Sequence, residues 1–488
     1  MSDHSTSVVD PICRRAFLSR SSVGMGTVAL ASLLKASPET HAHSTQPHKQ
    51  IPHYPAKAKN LIFLFMAGAP SQLDLFDYKP KLNEFHGKTA DRELLGDVRF
   101  SQLRPRNMNE PSRLLGSPYK FQQYGESGAF VSELLPHLSG VVDELSFLKG
   151  MKFNEEIFDH PFAQLILMTG APLEGRPSLG SWLSYGLGSE SDNLPAFVVL
   201  MSNLLPRGGS GILSSGFLPS VHQGVPFNCQ GDPVLFLANP PGISADARRR
   251  SVETINALNG LRYDLSGDPE INTRIASFEL AYRMQTSAPE LVDLAQEPRH
   301  ILELYGAEPG AQSFANNCLL ARRLVERGVR TVQLVDLDWD HHGDTEKRDL
   351  MHALPNQCAS VDQAIAGLLR DLKQRGLLEE TLVVWAAEFG RTPIDEARNP
   401  QATFLGRDHH PFAGTFWMAG AGVKPGLTIG GTDELGFMAV ERPTEVFDLQ
   451  ATILHLMGFD HEQLTFRTQG RDFRLTEVYG KVIHELLA

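Results

Sequence analysis

Four aspartates and two histidines fall within nine residues at Asp336-Leu337-Asp338-Trp339-Asp340-His341-His342-Gly343-Asp344. Imidazole nitrogen and carboxylate oxygen at that density suit a divalent metal ion; the competing reading is a loop of capping side chains. A second group begins at Glu388, which closes the apolar run 382–387, and a third is Arg407-Asp408-His409-His410. Each has an ordinary alternative: Glu388 as a loop cap, the histidine pair as solvated surface. Earlier in the chain, Ser71 and Asp74 have the spacing of a helix-capping pair. His160 directly precedes Pro161, which suits the first turn of a helix. A side chain there faces the positive end of that helix, where anions settle.

Short apolar runs must position these groups. Residues 60–66 (NLIFLFM) and 382–387 (LVVWAA) are unbroken, the pattern of strands buried on both faces of a parallel sheet. Residues 145–148, 196–200, 329–335 and 414–420 read as further strands. Helical patterns occupy 134–142, 162–168, 318–327, 362–375 and 448–457, with a long charged stretch at 248–296. This alternation makes the fold class α/β. The acid and imidazole clusters stand at the C-terminal ends of strands, the rim at which open α/β sheets bind ligands. Residues 79–128 read as loops and short helices over the sheet. The Gly- and Pro-bearing stretch 172–260 reads as a strand followed by an insertion around 200–300.

The chain has 488 residues, 21% of them charged, and a formal net charge of −12. No basic stripe offsets that acidity, so a nucleic-acid partner is not expected. An anionic substrate stays open, because the field of a bound metal outweighs distant surface charge. Arg14-Arg15-Ala16-Phe17-Leu18 precedes a mild apolar stretch interrupted by Gly24, Gly26 and Ser32. Residues 1–42 are therefore expected to be a twin-arginine export signal, 43–57 a disordered linker, and 58–480 a single domain in the periplasm or cell envelope. The stretch is too short and mild to span a bilayer stably, so no membrane span is expected after signal removal. Cys13 lies in that signal, and Cys229, Cys318 and Cys358 are too scattered for a disulfide framework or a CxxC metal knuckle.

The stretches GAPSQLDLFDYKP (68–80), HPFAQLILMTGAP (160–172), GRPSLGSWLSYGLG (175–188), WDHHGD (339–344), GLLEETLVVWAAEFGRTP (376–393) and GRDHHPFAGTFWMAGAGVKPG (406–426) resemble DUF1501, an exported, sulfatase-like family of the alkaline phosphatase superfamily. The resemblance implies a three-layer sandwich with a mostly parallel central sheet and helices on both faces. It also implies metal at the strand ends, polarising a sulfate or phosphate ester. In AEFG (387–390), Glu388 takes the place of a metal-binding Asp, and Phe389 stands where a ligand His is usual. WDHH supplies Asp340 and His342, with Asp338 as an alternative, and GRDHHP supplies His409 in preference to His410. Ala67-Gly68 stand where aspartates are expected, which leaves Asp74 as the nearest acid. His160 stands at the nucleophile position and could accept a phosphoryl group; the alternatives are a metal ligand and a non-catalytic relic.

The resulting expectation is an exported metal-dependent hydrolase of sulfate or phosphate esters, acting on a small molecule or a polysaccharide. Asp340, His342, Glu388 and His409 would hold one divalent ion (zinc, calcium or magnesium). Asp74 and His160 would complete the site, and Arg391 or Arg407 would clamp the anionic group bidentately. The alternative is a non-catalytic protein of the same fold that binds anionic glycans or an envelope partner.

Overall fold

The computed structural model describes residues 50–91, 94, 112–153, 157–201, 205–235, 237–396 and 403–488. The expected export signal, 1–42, and the first part of the expected linker, 43–49, lie outside the described residues.

The apolar runs become strands of one sheet. In chain order these are β1 (Asn60–Met66), β2 (Leu145–Lys152), β3 (Phe197–Met201), β4 (Val225–Phe227), β5 (Thr331–Asp336), β6 (Thr381–Ala386), β7 (Gly414–Gly420), β8 (Thr428–Ile429) and β9 (Thr444–Glu445). Their spatial order is β8-β2-β7-β6-β1-β5-β3-β4, with β9 also on β2. Every pairing is parallel except those of β7, which runs antiparallel to β2 and β6. The register sets Met66 beside Asp336 and Phe65 beside Ala386. Strands β1, β5 and β6 therefore end nearly level, and the turns that follow them open at one rim. That register brings together residues hundreds of positions apart.

The helices are α1 (His160–Thr169), α2 (Leu179–Leu187), α3 (Ala245–Ser266), α4 (Pro269–Val292), α5 (Phe314–Glu326), α6 (Ala353–Gln374) and α7 (Val446–Leu456), beside shorter ones. Every residue of β1, β5 and β6 is buried, which requires cover on both faces of the sheet. Helices α2 and α5 both lie against β5 and β3, α6 packs on α5, and α1 packs on α7. The architecture is a mixed α/β sandwich around a mostly parallel sheet, as expected. No helix among the described residues is long and apolar enough to cross a membrane.

Three elements differ from the sequence reading. Residues 134–142 do not form an α-helix: Pro136 and Gly140 interrupt it, and a 3-10 turn runs Leu138–Glu144 instead. The charged stretch 248–296 divides into α3 and α4, because Gly267 takes a left-handed conformation and Asp268 caps the next helix. Helix α6 starts nine residues earlier than expected, since Leu354, Cys358, Val361 and Ile365 extend one buried face at helical spacing. Residues 50–57, read as the end of a disordered linker, bond to the domain: the backbone N–H groups of Gln50, Tyr54 and Lys57 donate to the carbonyls of Gly186, Gly458 and Leu456.

Candidate metal centre

The site is built where the β5 loop is drawn across the end of β1. Ala67 N donates to the Asp336 carbonyl at 2.8 Å, which carries the β1–β5 ladder one step past the strand. Gly68 has φ +112°, and a Cβ there would stand 2.8 Å from the backbone nitrogens of both Trp339 and Asp340. The missing acid at 68 thus has a steric cause, since the Asp340 loop fills that space. A second close approach seats the late histidines. A Cβ on Gly406 would lie 2.0 Å from the His342 carbonyl carbon, and Arg407 N donates to the His341 carbonyl at 3.1 Å. His409 then sits in a two-residue antiparallel ladder with Arg391. His160 is the first residue of α1, after an extended Asp159 and before Pro161.

His160, Asp340, His342 and His409 are all buried, and one ligand atom from each lies within 4.8 Å of the others. The Nε2 atoms of the three imidazoles converge on one oxygen, Asp340 Oδ1, at 2.6 Å from His342, 3.0 Å from His160 and 3.2 Å from His409. The Nε2 atoms of His342 and His409 are themselves 3.0 Å apart. Each ring's other nitrogen meets an acceptor: His160 Nδ1 meets Glu388 Oε1 at 2.7 Å, His342 Nδ1 meets Glu396, and His409 Nδ1 meets the Phe158 carbonyl. A proton held on Nδ1 for that outer acceptor leaves a lone pair on Nε2. The three Nε2 lone pairs then face one another and a carboxylate oxygen, an arrangement that repels itself without a cation.

That donor set fits a divalent ion. Three imidazoles and a carboxylate are zinc-type ligands, and an outer acceptor on each histidine is the usual support of a metal ligand. His160 Nε2 is buried with no hydrogen-bond partner, despite its approach to Asp340. Four ligands ~2.0–2.2 Å from one tetrahedral ion stand roughly 3.4 Å apart, so the three contacts to Asp340 Oδ1 and the His342–His409 contact need to open by less than an ångström.

Electrostatics follow the same pattern. Burial would raise the Asp340 carboxyl, but the Arg391 guanidinium and the three imidazoles hold it far below the usual carboxylate range. Burial lowers His342 strongly and brings His409 down to about 4, which keeps both neutral and able to ligate. At His160 burial also lowers the pKa, but the Asp340 and Glu388 carboxylates on either side outweigh it and the net direction is up.

The eight residues singled out from the sequence separate into three roles. His160, Asp340, His342 and His409 form the group. Glu388 and Arg391 hold it from behind. Glu388 Oε1 also accepts from Gly68 N at 2.9 Å and Gln164 Nε2 at 2.7 Å. Arg391 reaches Asp340 Oδ1 at 2.7 Å and spends its other donors on the carbonyls of Ala69, Arg407 and Gly68. Asp74 and Arg407 lie apart as a buried bidentate pair, 2.7 and 3.1 Å, with Ser71 Oγ donating to Asp74 rather than capping its helix. Arg407 also donates to the Leu115 carbonyl. Neither arginine offers a donor to the cleft, because both guanidiniums are buried and occupied.

Other contributors carry no sequence signal. Glu396 and the Phe158 carbonyl orient ligands from loops without periodicity. Phe389 lays its ring against His160 and His409, with centroids 5.0 and 4.8 Å away, as an apolar floor. His342, Glu396 and Asp408 make a second grouping that shares His342 with the first. His410 turns away to the Phe437 carbonyl. A cleft of about 330 Å³ opens on His160 and Asp340, lined also by Ala67, Gln164, Leu205, Arg207, Lys347 and Arg348. Asp338 lies on its wall in a left-handed conformation, φ +72°, outside the ligand group.

Similar solved structures include the lipoteichoic acid synthase LtaP from Listeria monocytogenes, at 10% identity over 92% of this chain and 80% of that one, with a TM-score of 0.33. The PsFucS1 sulfatase from Pseudoalteromonas sp. is 12% identical over 90% of this chain and 72% of its own, TM-score 0.33. The C-terminal periplasmic domain of EcEptC from Escherichia coli, in complex with Zn, is 8% identical over 87% and 96%, TM-score 0.33. Likeness this loose transfers neither activity nor ligand. No curated protein matches the sequence. Residues 58–487 match the family described as "Protein of unknown function (DUF1501)", and the chain belongs to that family.

Proposed function

We propose that this protein is an exported metal-dependent hydrolase or transferase of sulfate or phosphate esters, with His160, Asp340, His342 and His409 as ligands of one divalent ion. The observation that carries this reading is the convergence of three Nε2 atoms on Asp340 Oδ1, each ring held from outside. Bound there, the ion would supply Lewis acidity toward an ester oxygen and lower the pKa of water at the site. Glu388, Glu396 and the Phe158 carbonyl keep the three rings in one tautomer, and Phe389 excludes water from behind. The cleft leads to His160 and Asp340, so a substrate is presented on that side. His160 Nδ1 is held by Glu388 and its unpartnered Nε2 points into the ligand group at Asp340 Oδ1, which favours a ligand role over that of a nucleophile. Among the described residues, those lining the cleft include no Ser, Thr or Cys, which favours attack by water over a covalent intermediate. Export rests on Arg14-Arg15 and the mild apolar stretch after them.

One observation favours a second reading. Four protein ligands already complete a tetrahedral ion, as in structural sites that keep no open position. In that case the protein binds anionic glycans or an envelope partner without turnover. Elemental analysis of purified protein, beside assays with aryl sulfate and aryl phosphate esters, separates the two. Stoichiometric metal and turnover that are both lost in His342→Ala support the enzyme. Metal without turnover supports the binding protein, and absence of metal sinks both.

A further inference from the structure

The two oxygens of Asp340 face different worlds. Oδ1 looks inward at the imidazoles and Arg391. Oδ2 looks into the cleft, where Arg348 Nη2 is 2.6 Å away and Arg207 Nη2 is 3.1 Å away. Their side chains are 33% and 56% exposed, whereas Arg391 is sealed in. Lys347 lines the same cleft and has no ion-pair partner among the described residues. One carboxylate is therefore shared among three arginines, and any ion bound at Oδ1 would draw on its charge as well. The cleft lining holds three cations, Arg207, Lys347 and Arg348, against two acids, Asp338 and Asp340.

We infer that Arg207, Lys347 and Arg348 receive the anionic group of the substrate, and that this group is a dianionic phosphate monoester in preference to a monoanionic sulfate ester. The inference rests on the reading of this cleft as the substrate's entrance. Arg348 is the fixed member: its Nε donates to the Asp340 carbonyl at 3.1 Å and its Nη1 reaches Asp344 at 2.9 Å. Arg207 is the movable member, since its hydrogen bond to Asp340 Oδ2 is the one side-chain bond it makes among the described residues. A tetrahedral oxyanion entering the cleft replaces Asp340 Oδ2 as the partner of Arg348 Nη2 and of the Arg207 guanidinium, whose fork matches paired oxygens geometrically. Lys347 adds a point charge that rewards the second negative charge of a phosphate monoester. Leu205, Pro206 and Leu337 form the apolar part of the lining and leave room for an uncharged ester group.

The test is calorimetric titration of the metal-loaded protein near pH 8 with phenylphosphonate, a dianion there, and with benzenesulfonate, a monoanion, beside metal analysis of every sample. The expected result is the phosphonate bound at least tenfold tighter than the sulfonate. Arg207→Gln and Lys347→Gln should each weaken the phosphonate tenfold or more while metal content stays at the wild-type level. Arg348→Gln removes a loop anchor, so the other two variants decide. Phosphonate affinity within twofold of wild type in both, or the sulfonate binding as tightly as the phosphonate, overturns the inference. Wild-type protein without metal overturns the functional reading instead, and the same phosphonate titration on that protein still decides this one.

Discussion

Glu388 Oε1 stands 2.7 Å from His160 Nδ1, and Glu388 is fully buried. The carboxylate two residues past β6 thus holds His160 from behind and stands outside the four-residue group. Burial pushes its pKa up, but His160 and Gln164 on the same oxygen win and keep it ionised. Its negative charge makes the far nitrogen of His160 a better donor to a cation.

Replacing that charge without its shape should expose the effect. Glu388→Gln retains an oxygen for Gly68 N and His160 but loses the anion. Ion affinity should fall about 10–100-fold with the fold intact, read by competition with a chromogenic chelator. Glu388→Ala should also destabilise, because up to three buried donors lose their partner at about 1–3 kcal/mol each. Wild-type affinity in Glu388→Gln would remove Glu388 from the metal's support.

Arg407 and Asp74 should behave as structure, not as a substrate clamp. Arg407→Met strands a buried carboxylate and should cost about 3–5 kcal/mol in denaturant unfolding. Adding Asp74→Asn removes the stranded charge and should restore much of that loss. If Arg407→Met keeps its stability and loses affinity for inorganic phosphate, the bidentate clamp expected from the sequence stands after all.

How far the sequence carried the reading depends on what kind of information each residue holds. Strands such as Asn60–Met66 and Gly414–Gly420 were legible to the residue, because near-complete burial demands a mostly apolar run. Asp340, His342 and His409 were legible as strand-end clusters, since register alone brings such ends together. Asp74 was misleading: the nearest acid in sequence is separated from the group by its own counter-ion, Arg407. Arg207 and Glu396 were invisible because they arrive from aperiodic loops, one reaching Asp340 and the other His342. Burial, which decides that Arg391 is sealed while Arg348 is open, is not written in the identity of an arginine.

Gly68 gives a sharp test of the loop packing. Gly68→Ala puts a Cβ 2.8 Å from two backbone nitrogens at φ +112°, where neither neighbour is a flexible side-chain tip. Backbone strain of this kind costs about 1–3 kcal/mol, and relief requires moving Trp339 and Asp340. Lower unfolding midpoint together with weaker ion binding is expected. A variant with wild-type values for both would mean that the Asp340 loop is not pinned by β1.

Two buried groups away from the ligands should pull the pH dependence of stability in opposite directions. His222, beside Ser184 Oγ at 3.0 Å, is pushed down by burial to about 4, against about 6.5 when unfolded. As pH falls through that window the unfolded chain binds a proton that the native state refuses. Its stability contribution is complete above about 6.5 and is lost toward 4, roughly 3 kcal/mol. Asp336 is pushed up to about 7 by burial, against the lowering hydrogen bonds from Gln357 and Trp339. Its contribution is complete below the unfolded value of about 3.9 and is lost as pH rises through 7, roughly 4 kcal/mol. Both donors reach the same oxygen, so Asp336→Asn can keep them while abolishing the titration. Between about pH 4.5 and 6.5 the two contributions largely cancel in the wild type, so urea unfolding should show His222→Gln losing stability as pH rises and Asp336→Asn gaining it. Profiles that run parallel to wild type in both variants would mean that neither group stays buried in its assigned state.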